Sequence, residues 1–138
     1  MIHGSTFSLV VRNLPKAIEF YQQAFQFALI DNEKTWATLQ YNHHYYCLID
    51  EQSSTELLGY PCQSLISSQQ LSPINFFLET NNVDKTFQHA CQAGAKAIKK
   101  PQQNDHAYYA LVWGVENYTW CIISRALNKN KINLKKIV

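Results

Sequence analysis

Glycine is scarce in this chain: four residues of 138, none near another. A phosphate-cradling loop or a dinucleotide fingerprint needs glycines bunched so that backbone amides can converge on an oxyanion, and neither is present. Charged residues are few, at 16%, and no apolar run approaches the length that crosses a bilayer. The opening MIHGSTFSLVV lacks a basic stretch leading into a long apolar one, so no secretory signal is expected. Cysteine pairs of the CxxC type are missing too. Cys47, Cys62, Cys91 and Cys121 stand far apart, which predicts reduced thiols acting as small hydrophobes in a cytoplasmic protein. There is no G-x-S-x-G elbow for a hydrolase nucleophile, and no His-x-Glu or Glu-x-x-His pairing for a metal.

What is present is apolar and aromatic mass, 46% and 13% of residues, in a chain long enough for one domain with a real core. Charge is distributed unevenly. Residues 125–138 carry five basic side chains and no acid, whereas the first 124 hold seven basic and ten acidic ones. A basic tail can touch nucleic acid or anionic lipid, but no aromatics alternate with these lysines. The expected partner is a small molecule, with no nucleic acid and no membrane; the tail reads as a solvated terminus or an arm against another subunit.

Residues 74–98 organise the rest. Phe76 to Thr80 reads as a strand, Asn81 or Asn82 as a helix cap, and Val83, Phe87 and Ala90 as one helical face. Gly94 stands where a left-handed residue ends a helix, and Lys96 opens the next strand. The same plan occurs 69 residues earlier. Phe7 to Val11 is the strand, Asn13 the cap, Pro15 a first-turn residue, and Leu14, Ile18, Tyr21 and Phe25 the apolar face. An offset of half the chain predicts two copies of one module. Strands follow each helix: Phe27 to Ile30, Thr35 to Tyr41 and His44 to Ile49 in the first copy, and strands through Trp113 and from Tyr118 to Ser124 in the second. Each half therefore reads β-α-β-β-β. The predicted class is α+β, with two tandem βαβββ modules forming one curved mixed sheet and the helices on its convex side. The modules span 1–51 and 74–124 of a single domain, joined by a loop over 52–73 and followed by the tail at 125–138.

Two such modules at this length resemble the vicinal oxygen chelate superfamily, which includes glyoxalase I, the bleomycin-resistance proteins and the extradiol dioxygenases. The resemblance is carried by Leu9 to Leu14 with Ala17 to Tyr21, by Val83-Asp84 through Ala93-Gly94-Ala95, and by Val112 to Trp120. Gln26, Gly114-Val115 and Asn117 depart from the usual glycine, Asp-Pro and glycine, although Asn suits a left-handed turn position. In that superfamily each module lends metal ligands from its first and last strands. By position these fall on Thr6, Asn75 and Cys121, with the fourth somewhere in Tyr45 to Glu51. A hydroxyl, a carboxamide and a thiol do not suit a divalent ion for oxygen chemistry. The resemblance thus implies a metal-free, bleomycin-resistance-like binder without a cofactor, and a homodimer whose contacts involve 52–73 and the tail. A metal-dependent lyase, isomerase or dioxygenase of the same superfamily is the alternative, and whether any reaction is catalysed stays open. A converging His3, His44 and His106 would need three unrelated segments to meet.

Strand alternation carries Thr6, Ser8, Asn75 and Phe77 to the inner face, with Cys121 opposite and Thr38 and Tyr108 or Trp113 on the walls. Hydroxyl and amide groups at the floor and stacking faces at the sides, with no net charge, describe a site for a planar, mostly neutral organic molecule.

Overall fold

The computed structural model describes residues 1–68 and 72–124. They fall into two compact units. The first holds residues 1–68 together with Val115–Asn117, and the second holds 72–114 with 118–124. The basic tail lies outside the described residues.

In the first unit β1 (Phe7–Val11) leads into α1 (Leu14–Phe25), then β2 (Ala28–Asn32), β3 (Trp36–Tyr41) and β4 (His44–Asp50). The strand order is β1-β4-β3-β2, with β1 parallel to β4 and the other pairs antiparallel. Helix α1 starts because the Asn13 side-chain oxygen accepts from the Lys16 amide at 3.1 Å and Pro15 occupies its first turn. It ends at Gln26, left-handed at φ 59°, where a glycine would be relaxed. Its buried face, Leu14, Ala17, Ile18, Phe20, Tyr21, Ala24 and Phe25, covers Leu9, Ala37, Leu39 and Leu48. An aromatic stack closes this core, with Phe27 between Tyr21 at 5.8 Å and Tyr46 at 5.0 Å.

The second unit repeats the order: β5 (Phe76–Glu79), α4 (Val83–Gln92), β6 (Lys96–Gln103), β7 (Tyr108–Trp113) and β8 (Thr119–Ser124). Its strands lie β5-β8-β7-β6, the same arrangement with the same pairing sense. Asn82 caps α4 by accepting from the Lys85 amide at 3.0 Å, and Gly94 follows at φ 115°. Val83 and Ala90 are its buried residues, and Trp120, fully buried, stacks on Phe76 at 4.6 Å. The tandem βαβββ plan is therefore present. Each module closes its own four-stranded mixed sheet, so the single sheet expected from the sequence is two.

The segment read as a loop over 52–73 is partly helical. Between the modules lie α2 (Glu51–Leu58) and the single turn α3 (Leu65–Ser68). Asp50 caps α2 by accepting from the Ser53 amide at 2.7 Å, and Gly59 ends it at φ 79°. Glu51 reaches forward to accept from the Ser64 amide at 2.8 Å, and the Thr55 hydroxyl accepts from the Cys62 amide at 2.9 Å. These bonds give a segment poor in apolar side chains a fixed path.

A 3₁₀ turn at Val115–Asn117 belongs to the first unit. Glu116 is 5% exposed, and its carboxylate accepts from the Arg12 amide at 2.7 Å and the Asn13 amide at 2.8 Å. An anion is thus held against the amino end of α1, where the helix dipole favours negative charge. Glu116 at φ 64° and Asn117 at φ 66° are both left-handed.

Candidate functional site

Residues paired across neighbouring strands point to the same face of a sheet, so the ladders decide which side chains share a surface. In the first unit Leu9, Leu48, Ala37 and Leu39 face α1, and the alternate residues face away from it. On that helix-free face Ser8, Cys47, Thr38 and Asp31 form one row across the four strands. Val10, Ile49 and Trp36 form the next row, and Tyr45, Gln40 and Ala28 lie on the other side of it. The Gln40 carboxamide donates to the Tyr45 hydroxyl at 3.2 Å within this surface. Thr6, exposed, stands two residues before Ser8 at the mouth of β1. Ser8 and Thr38 are thus on one face, and Thr6 lies just ahead of β1, outside the ladder.

The second unit has an equivalent face with a different lining. Phe77, Cys121, Leu111 and Lys99 form its middle row. Thr119, Trp113 and Lys96 form a second, and Glu79, Ile123, Tyr109 and Gln102 a third. Asn75, Phe77, Trp113 and Cys121 are therefore brought to one surface. Tyr108 is not among them. It pairs with Ser124 and Gln103 on the opposite face, where its hydroxyl donates to Asp84 of α4 at 2.7 Å. That bond, with some burial and the nearby negative charge, raises the phenol above its ordinary range. Asn75 is also less free than the sequence suggested. Its backbone amide donates to the Thr119 carbonyl, and its side-chain oxygen accepts from the Thr119 amide at 2.7 Å and from the Ser72 hydroxyl at 2.8 Å. Asn75 extends the β5–β8 ladder by one residue, leaving the amide nitrogen of its side chain as the group with unspent donors.

The register also supplies the position that sequence counting left between Tyr45 and Glu51. Cys47 lies beside Ser8 as Cys121 lies beside Phe77, each two residues along from the superfamily's first-strand position. The carried-over donors are then Thr6 and Cys47 in the first unit, and Asn75 and Cys121 in the second. Burial pushes both thiols up, so each stays protonated at neutral pH and is a poor ligand and a poor nucleophile. Among the described residues no group of three or more His, Cys, Asp and Glu side chains gathers, so His3, His44 and His106 do not form a cluster. Neutral thiols, a hydroxyl and a tied carboxamide do not fit a divalent ion that must activate oxygen ligands.

Two modules of this topology, each presenting a helix-free face, define the class of fold. Residues 5–117 match the Glyoxalase/Bleomycin resistance protein/Dioxygenase superfamily, and the chain belongs to it. No curated protein sequence matches the chain. Solved structures share the fold at low identity. A glyoxalase-related enzyme from Fulvimarina pelagi is 14% identical, with a TM-score of 0.76 over 89% of this chain and 88% of that one. A glyoxalase/bleomycin resistance protein/dioxygenase family enzyme from Burkholderia phytofirmans is 24% identical, with a TM-score of 0.71 over 87% and 96%. The fosfomycin resistance protein FosX from Mesorhizobium loti is 12% identical, with a TM-score of 0.66 over 90% and 93%. No helix among the described residues is long and apolar enough to cross a membrane.

Proposed function

We propose that this chain binds a planar organic molecule on the helix-free face of its second unit, and that it does so without a metal. Phe77 carries the argument. It is 64% exposed on the face that α4 does not cover, in one row with Cys121 and Leu111 and next to the row of Trp113. A large aromatic side chain left this open on a strand costs solubility unless it meets a ligand or another surface. Flat rings stack on such a side chain, and Asn75 offers a hydrogen bond at the end of the same strand. The hydroxyls of Thr6, Ser8 and Thr38 give the first unit's face polar groups beside Val10, Trp36, Ile49 and Tyr45.

The donor set supports metal independence, because neither unit offers an imidazole or carboxylate at the superfamily's ligand positions. Exposed Leu57, Leu58 and Tyr60 around the end of α2 support self-association, and we place the homodimer contact there. Four free cysteines support a reducing, cytoplasmic setting. The test is a screen of aromatic compounds by tryptophan emission and backbone-amide NMR shifts, with elemental analysis of the purified protein alongside. Shifts at Phe77, Leu111, Trp113 and Cys121 that vanish in Phe77→Ala are the expected result. A screen in which no compound moves those amides, or one equivalent of transition metal lost on replacing Cys47 or Cys121, would sink the reading.

A further inference from the structure

The sequence argument for a neutral ligand rested on an inner face without charge, and the ladder between β6 and β7 alters that premise. Ala97 pairs with Val112, and the next pair is Lys99 with Leu111, so Ile98 is an extra residue. Without the extra residue Ile98 would lie opposite Leu111, and Lys99 would lie opposite Ala110, which is fully buried on the helix side. A one-residue slip moves every following side chain to the other face, and bulges of this kind re-aim side chains beside binding sites. Here the bulge moves a lysine out of the α4 side and into the row of Leu111, Cys121 and Phe77. Lys96, opposite Trp113, adds a second cation at the same edge.

From this geometry we infer that Lys99 recognises a singly charged anionic substituent, of the carboxylate class, on the planar ligand; the inference rests on the binding reading above. Directly paired side chains lie about 5 Å apart at Cβ, so an ammonium on Lys99 overhangs a ring resting on Leu111. Among the described residues in these rows the acid is Glu79 on β5, at the far edge of the sheet. Three strand spacings separate it from β6, about 14 Å, beyond the screening length of about 8 Å in physiological salt. An anion at the β6 edge therefore meets positive potential. A flexible ammonium takes a carboxylate as a point charge. Bidentate recognition of a phosphate favours a guanidinium fork, and the only arginine before residue 125 is Arg12, in the first unit. The first unit shows the same device with the opposite sign. On β2 Leu29 pairs with Leu39 and Asp31 with Thr38, leaving Ile30 as the extra residue and turning a carboxylate onto the helix-free face.

The experiment measures Kd for 2-naphthoate and its uncharged counterpart 2-naphthamide by NMR titration of the full chain, in the wild type and in Lys99→Gln and Lys99→Arg. Wild type should bind the naphthoate about fivefold tighter, as expected for an exposed ion pair, and less so in high salt. Lys99→Gln should bring the ratio to about one with the naphthamide affinity unchanged, and Lys99→Arg should keep the preference. A ratio near one in the wild type, or one untouched by Lys99→Gln, overturns the charge inference and leaves the binding reading standing. If neither probe moves the amides of Phe77, Leu111, Trp113 and Cys121, the binding reading itself fails and this inference falls with it.

Discussion

The two units share a chain plan and differ in where their apolar mass lies. In the first, α1 buries seven side chains and an aromatic stack fills the space behind it, while the helix-free face mixes Ser8, Thr38 and Asp31 with Trp36 and Tyr45. In the second, α4 buries two, and aromatic surface lies on the helix-free side at Phe77, Trp113 and Tyr109. A duplicated module has one sheet and two faces on which to use its aromatics. The first copy gathers Phe20, Tyr21, Phe25, Phe27 and Tyr46 around its helix, whereas the second leaves Phe77 open on the helix-free side.

That division can be broken at defined residues. Leu48→Ala, at a fully buried position on a central strand of the first unit, should cost about 3–4 kcal/mol in denaturant unfolding. Glu116→Ala should cost about 2–3 kcal/mol, because the Arg12 and Asn13 amides lose their acceptor; Glu116→Gly should recover about 1 kcal/mol by relaxing the left-handed backbone. Equal loss from Glu116→Gly and Glu116→Ala would show that strain at this position is negligible. Asn75→Leu should cost about 1–2 kcal/mol of stability by leaving the Thr119 amide unpaired. Any weakening of ligand binding in that variant has to be read after this cost is taken out. Phe77→Ala should change stability by less than about 0.5 kcal/mol while abolishing the aromatic binding signal, and Tyr108→Phe, on the helix side, should leave binding intact.

The thiols give a subtler probe. Cys47 and Cys121 have folded-state pKa values raised by burial, so the folded protein holds protons that the unfolded chain releases more readily. Their contribution is complete below the ordinary thiol range, about 8.5, and declines as pH rises above it toward the raised folded values. Unfolding free energy should therefore fall on the alkaline side, and the double replacement Cys47→Ser with Cys121→Ser should flatten that slope. A slope unchanged by the double variant would assign it to other groups, such as Tyr46, which burial also raises.

Much of this architecture could be read from the chain, because caps and strands are local. Asn13, Asn82 and Gly94 act where the pattern put them, and both helices and all eight strands follow. Helix α2 was missed because EQSSTELL has no apolar stripe: Leu57 and Leu58 are adjacent and exposed, and the helix depends on Asp50 at one end and Gly59 at the other. Those two residues were the available signal. Cys47 was within reach as well. A two-residue turn at Asn42-His43 pairs Tyr41 with His44, and counting back from there sets Thr38 against Cys47. Tyr108 was within reach too, because β7 is regular from Tyr108 to Trp113 and strict alternation puts those two on opposite faces. Lys99 was not: irregularities in the β6 ladder decide its face, and alternation presumes a regular strand.

The anchoring of α1 by Glu116 has a consequence for how the chain is made. The bond partners are separated by 103 and 104 positions, although β2, β3 and β4, against which this helix packs, end at Asp50. During synthesis the leading unit emerges with two amides at the start of its main helix still waiting for an acceptor that is translated 103 and 104 positions later. Its final tightening is therefore delayed until the second copy has left the ribosome, a long-range closure that slows folding and keeps the early half pliable. A fragment ending at residue 68 should accordingly populate the helix while exchanging the Arg12 and Asn13 amides much faster than the full chain does.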